Sequence, residues 1–583
     1  MLQYNIIPSA KQHQWQIRLQ LQHRQNTSLQ LSLPNWVPGS YLIRDFSRHI
    51  TRIEASCNGQ AARLTQISKN RWQTEAQAGE WQIRYTVYAY DLSVRGAYLT
   101  EKRGFFDGAC LFLNVAGYEQ QAHQIQFEQL PAHWQTATTL PRIGEHTFQT
   151  ASYAELIDHP VELGNIETLT FEAAGIPHRI ALSGHYADFD RERLVRDIQK
   201  ICTAELAMFP SPAPFQEYLF LLHVGDNLYG GLEHLSSTAL LADRNSLPGY
   251  GMGEPNDDYT QLLGLFSHEY FHAWNVKSIK PAAFVPYQLD SESYTEQLWA
   301  FEGITSYYDD LFLVRSGVIT PEAYLKLLAK NLTRVQQGKG RLKQTLAESS
   351  FTAWNKYYKQ DENSPNAIVS YYQKGALAAL CLDLLIRQKS HGTHSLDSVM
   401  QQHYRDWLDT RAGIPEQAWQ TRCQEITGLN LQDFFQTALY STEDLPLQPC
   451  LAGAGIELQW QAEARSHGGA LVDEFADTAP ATDFGARYKQ NAEGITLSHV
   501  FNGGSAENAA LCPQDRIIAL NGFACTAFDQ QWQAFQCGDK VQLHYFRHGV
   551  LHETELTVQA AEADTTLLKI ANRDLMAKWL QPS

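Results

Sequence analysis

The run from Leu262 to Trp274 constrains the chain more than any other stretch: Leu262-Leu263-Gly264-Leu265-Phe266-Ser267-His268-Glu269-Tyr270-Phe271-His272-Ala273-Trp274. Its apolar residues fall on several sides of a helix, so that helix must be buried, and it takes two histidines and a glutamate with it. Polar groups removed from water need partners. His268 and His272 leave the same helix face one turn apart, where both imidazoles can grip one zinc ion. Glu269 is then placed to act on a water at the ion without binding the ion itself.

A site of this kind takes a third ligand, and two carboxylates compete for the role. Between His272 and Glu292 lie 19 residues, and between His272 and Glu302 lie 29. Glu292 sits in polar Asp290-Ser291-Glu292-Ser293, which reads as a solvated turn or helix start. Glu302 sits in Leu298-Trp299-Ala300-Phe301-Glu302-Gly303-Ile304, where an ionised carboxylate is costly unless coordinated or paired. Context favours Glu302, which gives two histidines, one glutamate and an open fourth position, the layout of a catalytic zinc site. Gly303 is expected to let its helix come close to the metal helix.

The remaining chain frames this core. At 583 residues it is too long for one hydrophobic core, and length suggests three or four domains. A net charge of −17 argues against nucleic-acid and anionic-membrane partners, and no stretch nears the ~18 apolar residues that span a bilayer. The first residues show neither a basic nor an apolar targeting region, so the expected location is the cytoplasm. The nine cysteines never form C-x-x-C, which suits reduced thiols and disfavours a cysteine-held zinc.

Read in order, Trp15, Ile17, Leu19 and Leu21 alternate with polar residues, as do Trp81, Ile83, Tyr85 and Val87, so the first 168 or so residues form an all-β domain. Within it, Asn35 to Phe46 is dense in aromatics around Pro38-Gly39 and is expected to be a structural corner, the alternative being a loop that reaches toward the active site. Helical spacing of Leu194, Ile198 and Ile201 predicts a helix over 190–208, and the apolar run Tyr218 to Val224 predicts a buried strand. Gly230-Gly231-Leu232-Glu233 follows, with glycines that let a backbone pass close to a ligand and Glu233 at the start of an expected edge strand. Helical patterns dominate to about 446, Ala- and Gly-rich 447–480 reads as a boundary, and β-like sequence follows. The last residues, with Leu575 and Trp579, are expected to dock as a helix or to fray.

Together His268 to Lys277, Gly230-Gly231-Leu232-Glu233-His234, Trp299 to Tyr308 and Trp36 to Phe46 resemble the glycyl aminopeptidases, zinc metallopeptidases that bear a PDZ domain. The resemblance implies a multidomain α+β protein: an N-terminal β-sandwich-like domain at 1–168, a thermolysin-like and mostly helical catalytic domain at 169–446, and a PDZ domain at 447–583. It implies one zinc ion per chain on His268, His272 and Glu302, with Glu269 as general base. Gly230-Gly231-Leu232-Glu233 is similar to the G-x-M-E-N segment of the larger zinc aminopeptidase family, whose glutamate holds the substrate's amino group. Tyr372, in Tyr372-Gln373-Lys374-Gly375-Ala376, is similar to that family's Y-E-K-G-A tyrosine, which stabilises the tetrahedral intermediate. The gap of 29 residues before the third ligand departs from the 18 of the larger family. Asp483-Phe484-Gly485-Ala486 stands where PDZ domains keep a carboxylate-binding loop, and Gln514 replaces their usual glycine before Asp515. The expected activity is removal of a small first residue, Gly or Ala, from peptides. The alternatives are a PDZ-assisted endopeptidase and an inactive peptide-binding scaffold.

Overall fold

The computed structural model describes residues 1–476 and 478–582. They form two compact units: Met1–Tyr294 with Ser316–Ile319 and Met400–Pro415, and Thr295–Arg315 with Thr320–Val399 and the chain from Glu416 onward. The whole is a multidomain α+β chain, β-rich at its N-terminus and helical further on. Among the described residues no helix is long and apolar enough to cross a membrane.

In the first unit the alternation at Trp15 to Leu21 becomes the strand Gln14–His23, with its apolar side chains buried. It pairs antiparallel with Leu2–Ser9 and with Gly79–Tyr88, setting Leu19 opposite Ile83 and Ile17 opposite Tyr85, inside an eight-stranded sheet. Period-2 side chains put Leu2, Tyr4 and Ile6, Trp15 to Leu21, and Trp81 to Val87 in alternation on one face, and that face joins the core around Trp15, Trp81, Phe106 and Ile125.

A five-stranded sheet follows, in the order Glu167–Ala173, Ile176–Gly184, Tyr218–Gly225, Ser237–Asp243, Tyr229–Glu233. Tyr218–Gly225 runs parallel to both neighbours, which explains its unbroken apolar sequence. Tyr229–Glu233 is the antiparallel edge strand, so Glu233 closes that strand where the sequence suggested it would open one. The helix predicted over 190–208 spans Arg191–Met208, with the Asp190 carboxylate accepting the N–H of Arg193. The metal helix spans Asp257–Phe271 and begins at Asn256, whose side chain accepts the N–H of Tyr259.

In the second unit Trp299–Gly303 forms a π-helical turn that runs on into the helix Ile304–Arg315. Gly303, expected to admit the metal helix, makes room for a different neighbour: a Cβ there would lie 2.6 Å from the Cα of Gly375, on the helix Gln373–Lys389. Residues 447–480, read as a boundary, carry the helix Leu447–Gly453 and the strand Ile456–Gln461, which pairs with distant Thr565–Ile570. Between them a six-stranded sheet has its own core of Phe484, Leu497, Ile517, Val541 and Leu543. Gln514 takes φ +72° there, the left-handed conformation that glycine adopts most readily. The C-terminal helix Arg573–Leu580 docks: Trp579 is buried and its indole N–H donates to the Tyr307 hydroxyl at 3.2 Å.

Candidate active site

His268 lies in the last turn of the metal helix and His272 caps it, with φ −61°. Their Nε2 atoms stand 3.1 Å apart and their rings are nearly perpendicular, at 88°. His272 Nδ1 donates to the backbone carbonyl of Asn275 at 2.7 Å. A carbonyl only accepts, so the proton is on Nδ1 and the Nε2 lone pair is presented outward. Two nitrogens bound at ~2.0–2.1 Å to one tetrahedral ion stand ~3.3 Å apart, so the pair fits a shared zinc. Val276, next to the accepting carbonyl, takes φ +143°, a backbone state a β-branched residue rarely adopts.

Glu269 is buried, and its Oε2 has no hydrogen-bond partner. Burial pushes its carboxyl up to about 7, Glu233 adds to the rise, and His268, His272 and Arg95 oppose it. The Tyr218 hydroxyl donates to the Glu269 carbonyl at 3.3 Å, tying the helix to the central strand. On its other side the edge strand passes close: a Cβ at Gly231 would lie 2.0 Å from Glu269 Oε1. Both ionisable and buried, Glu269 has a free acceptor oxygen of the kind a general base needs.

Glu233 is buried as well, and its Oε1 is without a hydrogen-bond partner. Gly39 packs on it, with φ +91° and its Cβ position 2.5 Å from both carboxylate oxygens. The segment expected to be a corner therefore reaches a candidate substrate-binding residue. Its anchors explain how: the Trp36 indole donates to the carbonyls of Gln288 and Ser291 at 2.9 Å, and Tyr41 stacks on Phe284.

Behind Glu233 lies a charged cluster that sequence spacing did not reveal. Lys277 Nζ donates to Asp158 Oδ1 at 2.6 Å, His234 Nδ1 stands 3.2 Å from the same oxygen, and His234 Nε2 is 3.5 Å from Asp107. Burial pushes the Asp107 carboxyl up to about 6 against the pull of His234. Burial would raise Asp158 too, but Lys277 and His234 outweigh it and hold that carboxyl far below the usual range.

In the second unit Glu302 is buried in the π-helical turn, a distortion frequent at functional sites. Tyr372 caps the helix Gln373–Lys389, half-buried, with its hydroxyl 3.3 Å from that of Tyr358. Its neighbour Tyr371 is fully buried; burial first, then Tyr358 and Glu302, raise that phenol well above its ordinary range against a smaller opposing pull from Tyr372. Glu292, in the first unit, is exposed, as its polar surroundings suggested.

Residues 3–165 match the Peptidase M61 N-terminal domain, and residues 261–378 match the M61 glycyl aminopeptidase domain. The crystal structure of an aminopeptidase N family protein from Idiomarina loihiensis is similar over 100% of both chains, at 40% identity and a TM-score of 0.95. This chain belongs to the M61 glycyl aminopeptidase family. As an M61 peptidase it is a metallo-aminopeptidase by family. An M1 zinc metallopeptidase from Deinococcus radiodurans is a remoter likeness, at 14% identity over 76% of this chain and 94% of that one, with a TM-score of 0.47. A form of it bound to a Tyr-Ser-Ala substrate gives 15% and 0.46 over 76% and 94%. None of the curated proteins compared with the sequence matches it. In this M61 peptidase His268, Glu269, His272, Glu302 and Tyr372 fall inside the second match, while Gly230, Gly231 and Glu233 fall between the two.

Proposed function

We propose that this M61 peptidase is a zinc aminopeptidase that hydrolyses the first peptide bond of substrates with a small N-terminal residue, Gly or Ala. One ion per chain is held by His268, His272 and Glu302. The observation that carries this reading is the pair of Nε2 atoms 3.1 Å apart with the His272 tautomer fixed by Asn275, next to a buried glutamate with a free oxygen. When bound, zinc would acidify a water and polarise the scissile carbonyl.

The chain's own residues supply the rest. Glu269 takes the proton of the attacking water and returns it to the leaving amine. Glu233 holds the free ammonium of the first residue, which sets the bond to be cut and leaves no room for chain upstream. Tyr372 donates a hydrogen bond to the carbonyl oxygen as negative charge develops on it. The Gly or Ala preference rests on the family resemblance.

The three-domain division stays part of this reading, with 1–168 as the β domain, 169–446 as a thermolysin-like catalytic domain and 447–583 as a PDZ-like domain. The separate core around Leu497 and Val541, and the left-handed backbone at Gln514 where PDZ sequences keep glycine, support the last of these. Such a domain would take peptide by strand addition.

The test is metal analysis together with glycyl, alanyl and leucyl anilides and their N-acetylated forms, with and without a chelator. One zinc per chain is expected, with glycyl and alanyl turnover lost on chelation and restored by zinc. Cleavage of acetylated peptides would make the enzyme an endopeptidase, and turnover indifferent to chelation would overturn the metal chemistry.

A further inference from the structure

Arg95 precedes the short strand Ala97–Leu99 and is half-buried. Its Nη2 donates to the carbonyl oxygen of Gly231 at 2.9 Å, and its Nη1 lies 3.8 Å from the place a Cβ would take at Gly230. The buried Nε has no acceptor, and the carboxylate that feels this guanidinium is that of Glu269, which it acts on through space. A guanidinium is permanently charged and carries five N–H donors in a planar fork. Holding one backbone carbonyl uses little of that capacity. A lysine or an amide could do as much, so the unspent donors have room for another acceptor.

The position of the arginine indicates which acceptor. The Gly231 carbonyl that it engages lies on the free side of the edge strand, away from the antiparallel partner Ser237–Asp243. Glu233 is two residues further along the same strand. Extended chain advances ~3.3–3.4 Å per residue, so the two levels are ~7 Å apart, about the reach of an extended dipeptide from its amine to its carboxylate. A peptide laid antiparallel along this edge with its amine at Glu233 brings the end of its second residue to Arg95. Carboxylate and guanidinium match as a bidentate, charge-assisted pair.

We propose that Arg95 recognises the free C-terminal carboxylate of a dipeptide whose amine is held by Glu233, so that dipeptides are the favoured substrate class of this M61 enzyme. The inference rests on the reading of Glu233 as the amine anchor, and it adds a specificity-determining residue at the opposite end of the substrate. Longer peptides lose this contact, because their second residue ends in an amide that offers no charge.

The experiment compares glycyl-alanine with glycyl-alanine amide on the full-length zinc-loaded enzyme and on its Arg95→Gln and Arg95→Lys variants, with glycyl anilide as reference. Wild type should favour the free carboxylate by about tenfold to a hundredfold in kcat/KM, the range for a hydrogen-bonded charge pair. Arg95→Gln should bring the ratio close to one, and Arg95→Lys should leave it between. Any loss from the Gly231 hydrogen bond acts on both substrates and cancels in the ratio, so a general structural effect does not imitate the result. A wild-type ratio near one, or a ratio that survives Arg95→Gln, overturns the proposal. The wild-type ratio stands as a test even where a variant folds poorly. Failure of the amine anchor looks different: acetylglycyl-alanine would then be cut as fast as glycyl-alanine, whatever the state of the carboxylate.

Discussion

The position a Cβ would occupy on Gly231 lies 2.0 Å from Oε1 of Glu269, so the edge strand and the metal helix meet at a contact that admits no side chain. Gly231→Ala must therefore push the glutamate aside or lift the strand. Either movement displaces the general base, and a misplaced base forfeits about 10²–10⁴ in rate. The variant should lose kcat/KM on glycyl anilide to about the extent of Glu269→Gln, while both keep one zinc per chain by metal analysis, since neither alters the histidines. Near-normal turnover in Gly231→Ala would show that Glu269 does not work from this position.

Gly39 makes the corresponding contact with Glu233, at 2.5 Å and with φ +91°. In Gly39→Ala the carboxylate must shift, so KM for free-amine substrates should rise while kcat changes less. Glu233→Ala should raise KM further, by about tenfold to a hundredfold, the scale of a lost hydrogen bond to a charged group. Gly59→Ala is the control: it has φ +78° but open space around its Cβ, so it carries similar backbone strain and should leave KM untouched. Equal KM changes in the Gly39 and Gly59 variants would remove Glu233 from substrate binding.

Local features of this fold were readable in the sequence and long-range ones were not, for a physical reason. Trp15 to Leu21 and Leu194 to Ile201 announce a strand and a helix because burial of one face imposes a period on neighbouring residues. His268 and His272 were legible for the same reason, one helical turn fixing their common face. Arg95 carries no such mark, since its partner Gly231 is 136 positions away, and Asp158 is 119 positions from Lys277. Hydrogen bonds of that span leave no period to detect. The strand Ile456–Gln461 was hidden in an Ala- and Gly-rich stretch because its partner, Thr565–Ile570, comes after a whole intervening sheet. The π-helical turn at Glu302 has the composition of an ordinary buried helix, so its backbone distortion could not be read from its residues.

Two glutamates were candidates for the third ligand, and their surroundings now differ sharply: Glu302 is buried in the π-helical turn and Glu292 is exposed. Glu302→Ala should lower zinc content well below one per chain after dialysis and abolish turnover. Glu292→Ala should leave both unchanged. Full zinc retention in Glu302→Ala, with the loss appearing in Glu292→Ala, would move the ligand to the loop and with it the expected approach of substrate.

The cluster behind Glu233 gives stability a pH dependence of known sign. Asp107 is fully buried and faces His234, Asp158 and Lys277, with Cys110 and Tyr153 also within its field; burial raises its carboxyl from the ordinary 3.8 to about 6. A carboxyl whose folded pKa lies above its unfolded value binds its proton more tightly when folded. Its contribution to stability is therefore full below about pH 4 and is lost as pH rises to 6, by up to ~3 kcal/mol for a shift of about two units. Asn at this position cannot ionise, so Asp107→Asn should gain in stability relative to wild type as pH rises from 4 to 6, with no further change above. Asp158, held below its usual range, has the opposite sign, and Asp158→Asn should lose most relative to wild type above about pH 4. Denaturant melts of the three proteins between pH 4 and 7 separate the two effects. A difference between Asp107→Asn and wild type that stays flat across that interval would mean the buried carboxylate is ionised at no cost, with His234 and Lys277 fully compensating its burial.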